Sequence, residues 1–249
     1  MDDIAVLQKL IDESNNIVFF GGAGVSTESG IKDFRSVDGL YHEKYKYPPE
    51  EMLSHTFYVR HKQEFYEFYK DKLLVKTVGT ETVEKAMPNA AHKKLAELEQ
   101  AGKLKAVITQ NIDGLHQAAG SKIVYELHGS VLRNYCEECG AFFDEKYMFS
   151  SEGIPVCSQC GGPVKPDVVL YEEGLDNNVM QGALRAISAA DMLIIGGTSL
   201  VVYPAAGLID YYHGKKLVLI NRDATARDSV ADYVFHGNIG EILGKIQVR

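Results

Sequence analysis

The sequence has no excess of positive charge. Its 26 lysines and arginines stand against 34 aspartates and glutamates, and the formal net charge is −8. No basic cluster offsets this balance, so we expect no nucleic-acid partner, because affinity for phosphate backbones depends on clustered cations. Internal repeats and low-complexity segments are also lacking. The 249 residues, 45% of them apolar, are enough for one large domain or for one domain with inserted modules.

Long hydrophobic runs are missing as well. The longest apolar stretch, Met192 to Ile209, is interrupted by Gly196-Gly197-Thr198-Ser199 and by Pro204. It therefore predicts a strand, a loop and a helix start, not a membrane span. The first residues, MDDIAVLQKL, are acidic where a secretion signal is basic. We expect a cytoplasmic protein that does not enter a membrane.

Cysteine is scarce and confined to one segment. The four cysteines form two pairs, Cys136-x-x-Cys139 and Cys157-x-x-Cys160, with seventeen residues between the pairs. This spacing is typical of a zinc ribbon, in which four thiolates complete a tetrahedral shell around a structural ion. Disulfides and inert core cysteines are the alternatives. The lack of a secretion signal argues against the first, and the paired spacing argues against the second.

A glycine-rich stretch follows an early apolar run. Ile17-Val18-Phe19-Phe20 enters Gly21-Gly22-Ala23-Gly24, and hydroxyl residues and a helix-ready segment follow. Strand, glycine turn and helix start are the parts of a dinucleotide phosphate site. However, Thr27 stands where the fingerprint requires its third glycine. An ordinary tight turn between a strand and a helix is the alternative.

Apolar strands alternate with helical segments along most of the chain. Helices are predicted at 3–14, from Asn89 to Gln100, towards Gly120, at 178–189 and from Pro204. Strands are predicted at 17–20, 106–109, 123–127, 167–171, 192–195, 217–220 and 233–235. Nearly continuous apolar strands of this kind predict an α/β fold with a parallel sheet covered on both faces. Polar clusters follow four of the strands, at 21–27, 110–113, 196–199 and 221–223, and ligands of such sheets bind at that edge.

Taken together, these motifs resemble one family, the sirtuins, and within it most resemble the compact bacterial enzymes. The matching stretches are Gly22-Ala23-Gly24-Val25-Ser26, Asp33-Phe34-Arg35, Thr109-Gln110-Asn111-Ile112-Asp113-Gly114-Leu115-His116, Leu127-His128-Gly129, the two cysteine pairs, Gly197 to Ala205, and Asn221. They span nearly the whole chain in the family's order.

The resemblance implies a fold, a reaction and one structural Zn²⁺. The fold is a Rossmann-like doubly wound parallel sheet, formed by residues 1–36, 88–130 and 171–249. A helical insertion occupies 37–87 and a smaller zinc-ribbon module 131–170. The implied activity is NAD-dependent deacylation of protein lysines, chiefly deacetylation, with NAD as co-substrate and the acyl group ending on ADP-ribose. Acylated lysines of other proteins would be the partners, and we expect a monomer.

The resemblance also implies roles for individual residues. His128 would be the general base on the ribose hydroxyls, since the ordinary pKa of histidine lies near working pH. Asn111 would position the nicotinamide ribose with Asp113, Phe34 would cover the nicotinamide, and His116 would support the pocket. The full set expected to contact NAD is Gly22, Ala23, Gly24, Ser26, Thr27, Asp33, Phe34, Arg35, Gln110, Asn111, Ile112, Asp113, His128, Gly197, Thr198, Ser199, Asn221, Arg222 and Ile239.

The chain departs from the family pattern at three places. Lys32 replaces the usual proline before Asp33, which we expect to leave that loop freer. Tyr171-Glu172-Glu173 replaces the usual Phe-Gly-Glu, and the acidic pair is expected to favour substrates with basic residues near the lysine. Tyr66-x-x-Tyr69 lacks the arginine with which the desuccinylating branch binds acidic acyl groups. Neutral acyl groups, acetyl first, are therefore expected.

Two other functions are compatible with such a pocket. An NAD-dependent protein ADP-ribosyltransferase would pass ADP-ribose to a side chain, but it would have no need of a base on the ribose. A non-enzymatic NAD- and zinc-containing sensor or scaffold would not need every polar residue of the pocket. His128 therefore favours the deacylase.

Overall fold

The described residues of the computed structural model, 3–36 and 39–248, contain nine strands and ten α-helices. The strands are β1 (Ile17–Gly21), β2 (Leu104–Thr109), β3 (Val124–Glu126), β4 (Gly129–Cys136), β5 (Phe142–Phe143), β6 (Val164–Val168), β7 (Met192–Gly196), β8 (Leu217–Asn221) and β9 (Tyr233–His236). The helices are α1 (Asp3–Asp12), α2 (Pro49–Met52), α3 (His55–Arg60), α4 (Lys62–Phe68), α5 (Val75–Val78), α6 (Ala90–Gln100), α7 (Leu115–Ala119), α8 (Glu145–Ser150), α9 (Asn177–Ala189) and α10 (Ile239–Gly244).

Six of the strands form the central sheet of the described chain, in the order β3-β2-β1-β7-β8-β9. All of their pairings are parallel, so the predicted parallel sheet is confirmed. Strand β1 lies in the middle, and Gly21 at its end is in register with Thr109 of β2 and with Gly196 of β7. The chain order reverses at β1, and the polar loops after β1, β2 and β7 meet beside this switch point.

Helices cover both faces of this sheet. On one face α1, α6 and α10 pack on a core that includes Phe19, Ile194 and Leu243. On the other face α9 packs on Val18, Ile195 and their neighbours. Burial on both faces explains why β1 and β7 are apolar throughout.

Helix caps account for the starts of the longer helices. The Asn89 side chain accepts hydrogen bonds from the backbone N–H groups of Ala91 and His92 at the start of α6. Asp176 caps α9 in the same way. Side-chain oxygens at these positions satisfy backbone donors that have no partner within the helix.

Two predicted α-helices are replaced by shorter turns. The segment after the glycines forms two 3₁₀ turns, Ala23–Val25 and Thr27–Ser29, and the segment after Pro204 is a 3₁₀ helix, Ala205–Tyr211. The expectation of α-helix starts there was wrong. The glycine loop turns more tightly than an α-helix, because Ser26 N donates to Ala23 O and Gly30 N to Thr27 O, each at 3.0 Å and each only three residues back.

The predicted strand at 167–171 is wrong both in its bounds and in the sheet to which it was assigned. Strand β6 ends at Val168 and belongs to a separate antiparallel sheet, in the order β5-β4-β6. Tyr171 instead makes an isolated bridge with Ser54, beside α3.

The helical segment and the cysteine segment share one core. Phe57, Phe65 and Leu74 from the helices pack in the same cluster as Val131 and Val164 from the antiparallel sheet. Polar contacts join them too: Tyr66 donates its hydroxyl hydrogen to Val164 O at 2.6 Å. We call this combined unit, residues 45–78 with 129–171, the small lobe.

The first and last predicted boundaries, Met1 and Arg249, and the start of the helical insertion at Val37 lie outside the described residues. Within residues 3–36 and 39–248, no helix combines the length and apolar character needed to cross a bilayer.

Candidate active site

A large cavity opens between the carboxyl edge of the parallel sheet and the small lobe. Its volume is about 840 Å³, within the range of small-molecule sites. The nineteen residues expected to contact NAD all line it: Gly22, Ala23, Gly24, Ser26, Thr27, Asp33, Phe34, Arg35, Gln110, Asn111, Ile112, Asp113, His128, Gly197, Thr198, Ser199, Asn221, Arg222 and Ile239. The sheet brings them together because their loops follow neighbouring parallel strands.

The glycine loop packs directly on the loop that follows β7. A Cβ atom on Gly24 would lie 2.8 Å from Cα of Gly197, and one on Gly22 would lie 2.8 Å from Cβ of Thr198. Gly24 N also donates to Gly197 O at 2.8 Å. Side chains at these positions would push the two loops apart, so both glycines are required by backbone packing.

A buried polar cluster lies where the glycine loop meets the loop after β2. The Ser26 hydroxyl donates to Asp113 Oδ2 at 2.6 Å and accepts from Asn111 Nδ2 at 3.0 Å. Leu115 N donates to Asp113 Oδ1 at 2.9 Å. Burial raises the pKa of Asp113, although the hydrogen bonds from Ser26 and Leu115 oppose the shift. These bonds fix the three side chains at the cavity wall before any ligand binds.

His128 is half-buried just after β3, and its ring has a defined tautomer. Its Nδ1 lies 3.0 Å from the carbonyl oxygen of Gln110. A carbonyl oxygen only accepts, so Nδ1 carries the hydrogen and Nε2 of the neutral ring has a free lone pair. Burial lowers the pKa of His128, with the bond to Gln110 acting in the opposite direction. The ring can therefore accept a proton at Nε2.

The far end of the cavity is built from the loops after β7 and β8. Asn221 Oδ1 accepts from Thr198 N at 3.0 Å, and Asn221 Nδ2 donates to Thr198 O at 3.1 Å. Gln110 Nε2 donates to Thr198 Oγ1 at 3.0 Å. This network joins the loops after β2, β7 and β8, while Arg222 stays exposed at the rim.

The segment Asp33-Phe34-Arg35 is braced by residues that follow it. Leu40 N donates to Asp33 O at 2.8 Å and Tyr41 N to Phe34 O at 2.9 Å. The Phe34 ring meets the Tyr41 ring edge-on, with 5.5 Å between centroids. The Arg35 guanidinium lies over the same tyrosine ring, 5.2 Å from its centre.

Lys32 ties this loop down, contrary to the expectation that it would leave the loop freer. Its Nζ lies 2.6 Å from Glu43 Oε1, and Lys72 of the small lobe lies 3.3 Å from Glu43 Oε2. The hydrogen bonds from Lys32 and Tyr45 lower the pKa of Glu43 to about 2. The ion pair restrains the Lys32 side chain, whereas proline would restrain the backbone.

The acidic pair after Tyr171 is already engaged within the protein. Glu172 Oε2 accepts from the backbone N–H and the hydroxyl of Thr56, at 2.9 and 2.7 Å. Glu173 contacts His55 and Lys165, at 2.9 and 3.3 Å. These contacts give both carboxylates a structural role and weaken the expectation that they select basic peptides.

Sequence reasoning did not identify several further residues of the cavity wall. Tyr41, Lys72 and the ring of Tyr171 line the cavity together with the expected set. Tyr41 and Lys72 come from the helical insertion, where no motif marks a ligand contact. The one available signal was at position 171, where this chain has tyrosine in place of the expected phenylalanine. The tyrosine adds a hydroxyl next to Arg35.

The four cysteines converge, as their spacing predicts. Their Sγ atoms all lie within 4.8 Å of one another, and they are the one such cluster of metal-binding side chains found in the described residues. Sγ of Cys136 lies 3.4 Å from that of Cys160, and Sγ of Cys139 lies 3.6 Å from that of Cys157. Four thiolates at tetrahedral corners, each about 2.3 Å from zinc, would be about 3.8 Å apart. The donor set and its size fit Zn²⁺.

Hydrogen bonds from two neighbouring elements support the glycine loop. Asn89, the cap of α6, donates its side-chain N–H groups to Val25 O at 2.7 Å and to Ser29 Oγ at 3.0 Å. Glu28 accepts from Gly240 N at the start of α10, at 2.6 Å. His116 lies fully buried beneath the site, 4.7 Å from His92 between ring centroids. It belongs to the support of the pocket and does not line the cavity.

Comparison with known proteins agrees with this geometry. A family model described as the Sir2 family matches residues 22–204. An NAD-dependent protein deacetylase from Clostridium perfringens is 61% identical over 250 residues, covering 99% of each chain. One from Staphylococcus aureus is 42% identical over 249 residues, again covering 99% of each.

Solved structures agree as well. A Sir2 homologue in complex with NAD superposes with a TM-score of 0.84 at 37% identity, over 97% of this chain and 91% of that one. A Sir2 complex with a p53 peptide and NAD⁺ gives a TM-score of 0.82 at 37% identity, over 98% and 96%. The chain belongs to the Sir2 family.

Proposed function

We propose that this protein is an NAD-dependent protein-lysine deacylase, chiefly a deacetylase. The overall reaction converts acetyl-lysine, NAD and water into lysine, nicotinamide and O-acetyl-ADP-ribose. The observation that carries the proposal is the position of His128, whose basic Nε2 belongs to the wall of the same cavity as Ser26, Asn111 and Asp113. The names of full-length relatives support the same activity.

The cavity fits NAD in its size and in its donors. The glycine loop offers a surface without side chains, as the close approach of a pyrophosphate requires, and Ser26 and Thr27 add hydroxyl groups beside it. We assign the phosphates to Gly22–Thr27 with Arg35, and the adenosine end to Gly197, Thr198, Ser199, Asn221, Arg222 and Ile239. When bound, NAD supplies a ribose carbon that can accept the acyl oxygen as nicotinamide leaves.

His128 accepts a proton from a ribose hydroxyl at Nε2. The bond from its Nδ1 to Gln110 holds the ring in the tautomer that has a lone pair there. A base with a pKa near or below neutrality is deprotonated at working pH and needs no preceding proton loss.

Asn111 and Asp113 orient the nicotinamide half of the ligand, with Gln110 and Ile112 beside them. Their mutual bonds through Ser26 keep both side chains in place, so little ordering is needed when NAD binds. Asp33, Phe34 and Ala23 complete this end, and the Phe34 ring limits the return of nicotinamide.

One structural Zn²⁺ on Cys136, Cys139, Cys157 and Cys160 is part of the proposal. All four ligands come from the protein, which leaves no open position for catalysis. Backbone N–H groups of Gln159 and Gly162 point at the sulfurs of Cys157 and Cys160, at 3.4 and 3.5 Å. Such contacts stabilise thiolates.

Neutral acyl groups remain the expected substrates. Tyr66 and Tyr69 are phenols without a positive charge, and neither lines the cavity, so neither can pair with an acidic acyl chain. The proposed units are 1–36, 88–130 and 171–249 for NAD binding, 37–87 for the helical insertion and 131–170 for the zinc module. Monomeric state and cytoplasmic location stay predictions.

One assay tests the function. The protein is incubated with NAD and an acetyl-lysine peptide, and nicotinamide, deacetylated peptide and acetyl-ADP-ribose are followed by mass spectrometry. We expect the three products in equal amounts, and loss of at least a hundredfold in rate in His128→Ala, since a general base contributes about 10²- to 10⁴-fold. His213→Ala, at an exposed histidine outside the cavity, is the matched control.

The same assay separates the alternatives. ADP-ribosylated protein without deacetylated peptide would establish an ADP-ribosyltransferase, and absence of turnover with measurable NAD binding would establish a sensor. Either result would refute the deacylase proposal.

A further inference from the structure

The Tyr171 hydroxyl takes part in a contact that crosses one side of the cavity. It lies 2.8 Å from the Tyr41 hydroxyl, and Arg35 Nη2 donates to it at 3.4 Å. Together with the position of Arg35 over the Tyr41 ring, these contacts make a closed group of three side chains. Two of them come from the segment after β1 and one from the segment after β6.

The Tyr171 side of this contact is fixed to the small lobe. Tyr171 N donates to Leu53 O and His55 N donates to Tyr171 O, both at 2.9 Å. The next residue, Glu172, has a left-handed backbone with a φ of 76°, and its carboxylate is held by Thr56. Tyr171 therefore presents its hydroxyl from an anchored frame.

The Tyr41 side is fixed to Phe34. The backbone bond from Tyr41 to Phe34 and the edge-on contact of their rings make the two residues one unit. Anything that restrains the Tyr41 side chain also restrains Phe34 and Arg35. Burial raises the pKa of Tyr41, so its phenol stays neutral and keeps a hydrogen to share.

We propose that the Tyr171 hydroxyl is a positioning group, which holds Phe34 and Arg35 in their NAD-binding arrangement by bonding to Tyr41. This inference rests on the proposed function for the identity of the ligand. Phenylalanine at this position would fill the same space but make no such bond. The hydroxyl therefore holds the loop in place before NAD arrives.

The test is the variant Tyr171→Phe, which removes one oxygen and keeps the ring. We expect the Kd of NAD, measured by calorimetry without peptide, to rise by about two- to tenfold, the effect of losing one neutral hydrogen bond. The kcat at saturating NAD should change less than twofold, since the hydroxyl acts before chemistry. Tyr211→Phe, which removes a hydroxyl from a tyrosine exposed by 52% and outside the cavity, is the control.

A double-mutant cycle tests the partner. Tyr41→Phe alone should weaken NAD binding to a similar degree, and Tyr41→Phe with Tyr171→Phe should weaken it no further than either single variant. Full additivity, or an unchanged Kd of NAD in Tyr171→Phe, would overturn the inference. A fall in kcat with an unchanged Kd would overturn it too.

Failure of this inference can be distinguished from failure of the proposed function. If the wild-type protein binds NAD but does not deacetylate, the function fails while the effect of Tyr171→Phe on NAD binding can still be read. If the wild-type protein deacetylates and Tyr171→Phe binds NAD normally, only this inference fails.

Discussion

At His128, burial and a hydrogen bond act on the imidazole in opposite directions. Burial has the larger effect and lowers the pKa below the ordinary value of 6.5, while the bond to Gln110 favours the charged ring. Because the base must be neutral to act, lowering its pKa extends the active form to lower pH. We therefore expect kcat/KM for the acetylated peptide, measured against pH at saturating NAD, to fall along an acidic limb with its midpoint below 6.5.

A midpoint at or above 6.5 would contradict this account. Substrate titration is excluded by using a peptide with no histidine, aspartate or glutamate. The pH profile of the slow residual activity of His128→Ala should lack the acidic limb.

Individual residues differed in how far the sequence could predict them. Gly22, Asn111 and His128 belong to motifs with fixed neighbours, so their places at the sheet edge could be inferred. Lys32 was misjudged because its partner, Glu43, lies eleven residues away on a segment with no recognisable pattern. Tyr41 was missed for the same reason: its contacts depend on how the insertion folds back, which no local spacing encodes.

Helix α6 combines a structural and a functional role in its cap. Asn89→Ala removes the bonds to the α6 backbone and also those to Val25 and Ser29 of the glycine loop. We expect a loss of about 0.5–2 kcal/mol in the free energy of unfolding, as for other caps, and a clear rise in the Kd of NAD. Urea unfolding and calorimetry measure the two effects.

Asp176→Ala provides the matched control for this prediction. Asp176 caps α9 through two backbone bonds but makes no contact with the glycine loop. The Asp176→Ala variant should lose a similar free energy of unfolding to Asn89→Ala and should bind NAD with the wild-type Kd. Equal effects of the two variants on NAD binding would show that α6 acts on the site only through general stability.

Elements were predictable where the local pattern and the tertiary packing agree. Strands β1 and β7 are buried on both faces and therefore form continuous apolar runs, and Asn89 marks the start of α6. The sequence therefore predicts the bounds of all three elements to within a few residues. The 3₁₀ turns after Gly22 and after Pro204 escaped prediction because close packing with neighbouring loops, not local propensity, sets their tightness. The strand at 167–171 was misplaced because an apolar run does not reveal which sheet it joins.

We expect the small lobe as a whole to depend on the proposed zinc ion. Cys136 and Cys157 are buried in the same cluster as the aromatic residues of α3 and α4. Removing zinc should therefore loosen the helices at 49–78 as well as the cysteine loops. We expect a strong chelator to open protease sites in both segments, read by mass spectrometry, while β1 and β7 stay protected.

Two results would contradict this prediction. Elemental analysis could find no zinc in the purified protein, or cleavage after chelation could stay confined to residues 137–160. Restoring protection with added Zn²⁺, but not with Mg²⁺, is the control, since thiolates prefer the softer ion.

The shared core of the small lobe joins segments that are synthesised at different times. The aromatic helices between Pro49 and Val78 are made early, whereas their partners Val131 and Val164 are made much later. As the chain leaves the ribosome, these apolar faces stay exposed to solvent until synthesis has passed Leu170. Exposed apolar surfaces make a nascent chain prone to misfolding and aggregation. Slow translation between residues 79 and 170 should therefore lower the yield of folded protein more than slow translation near the carboxyl terminus.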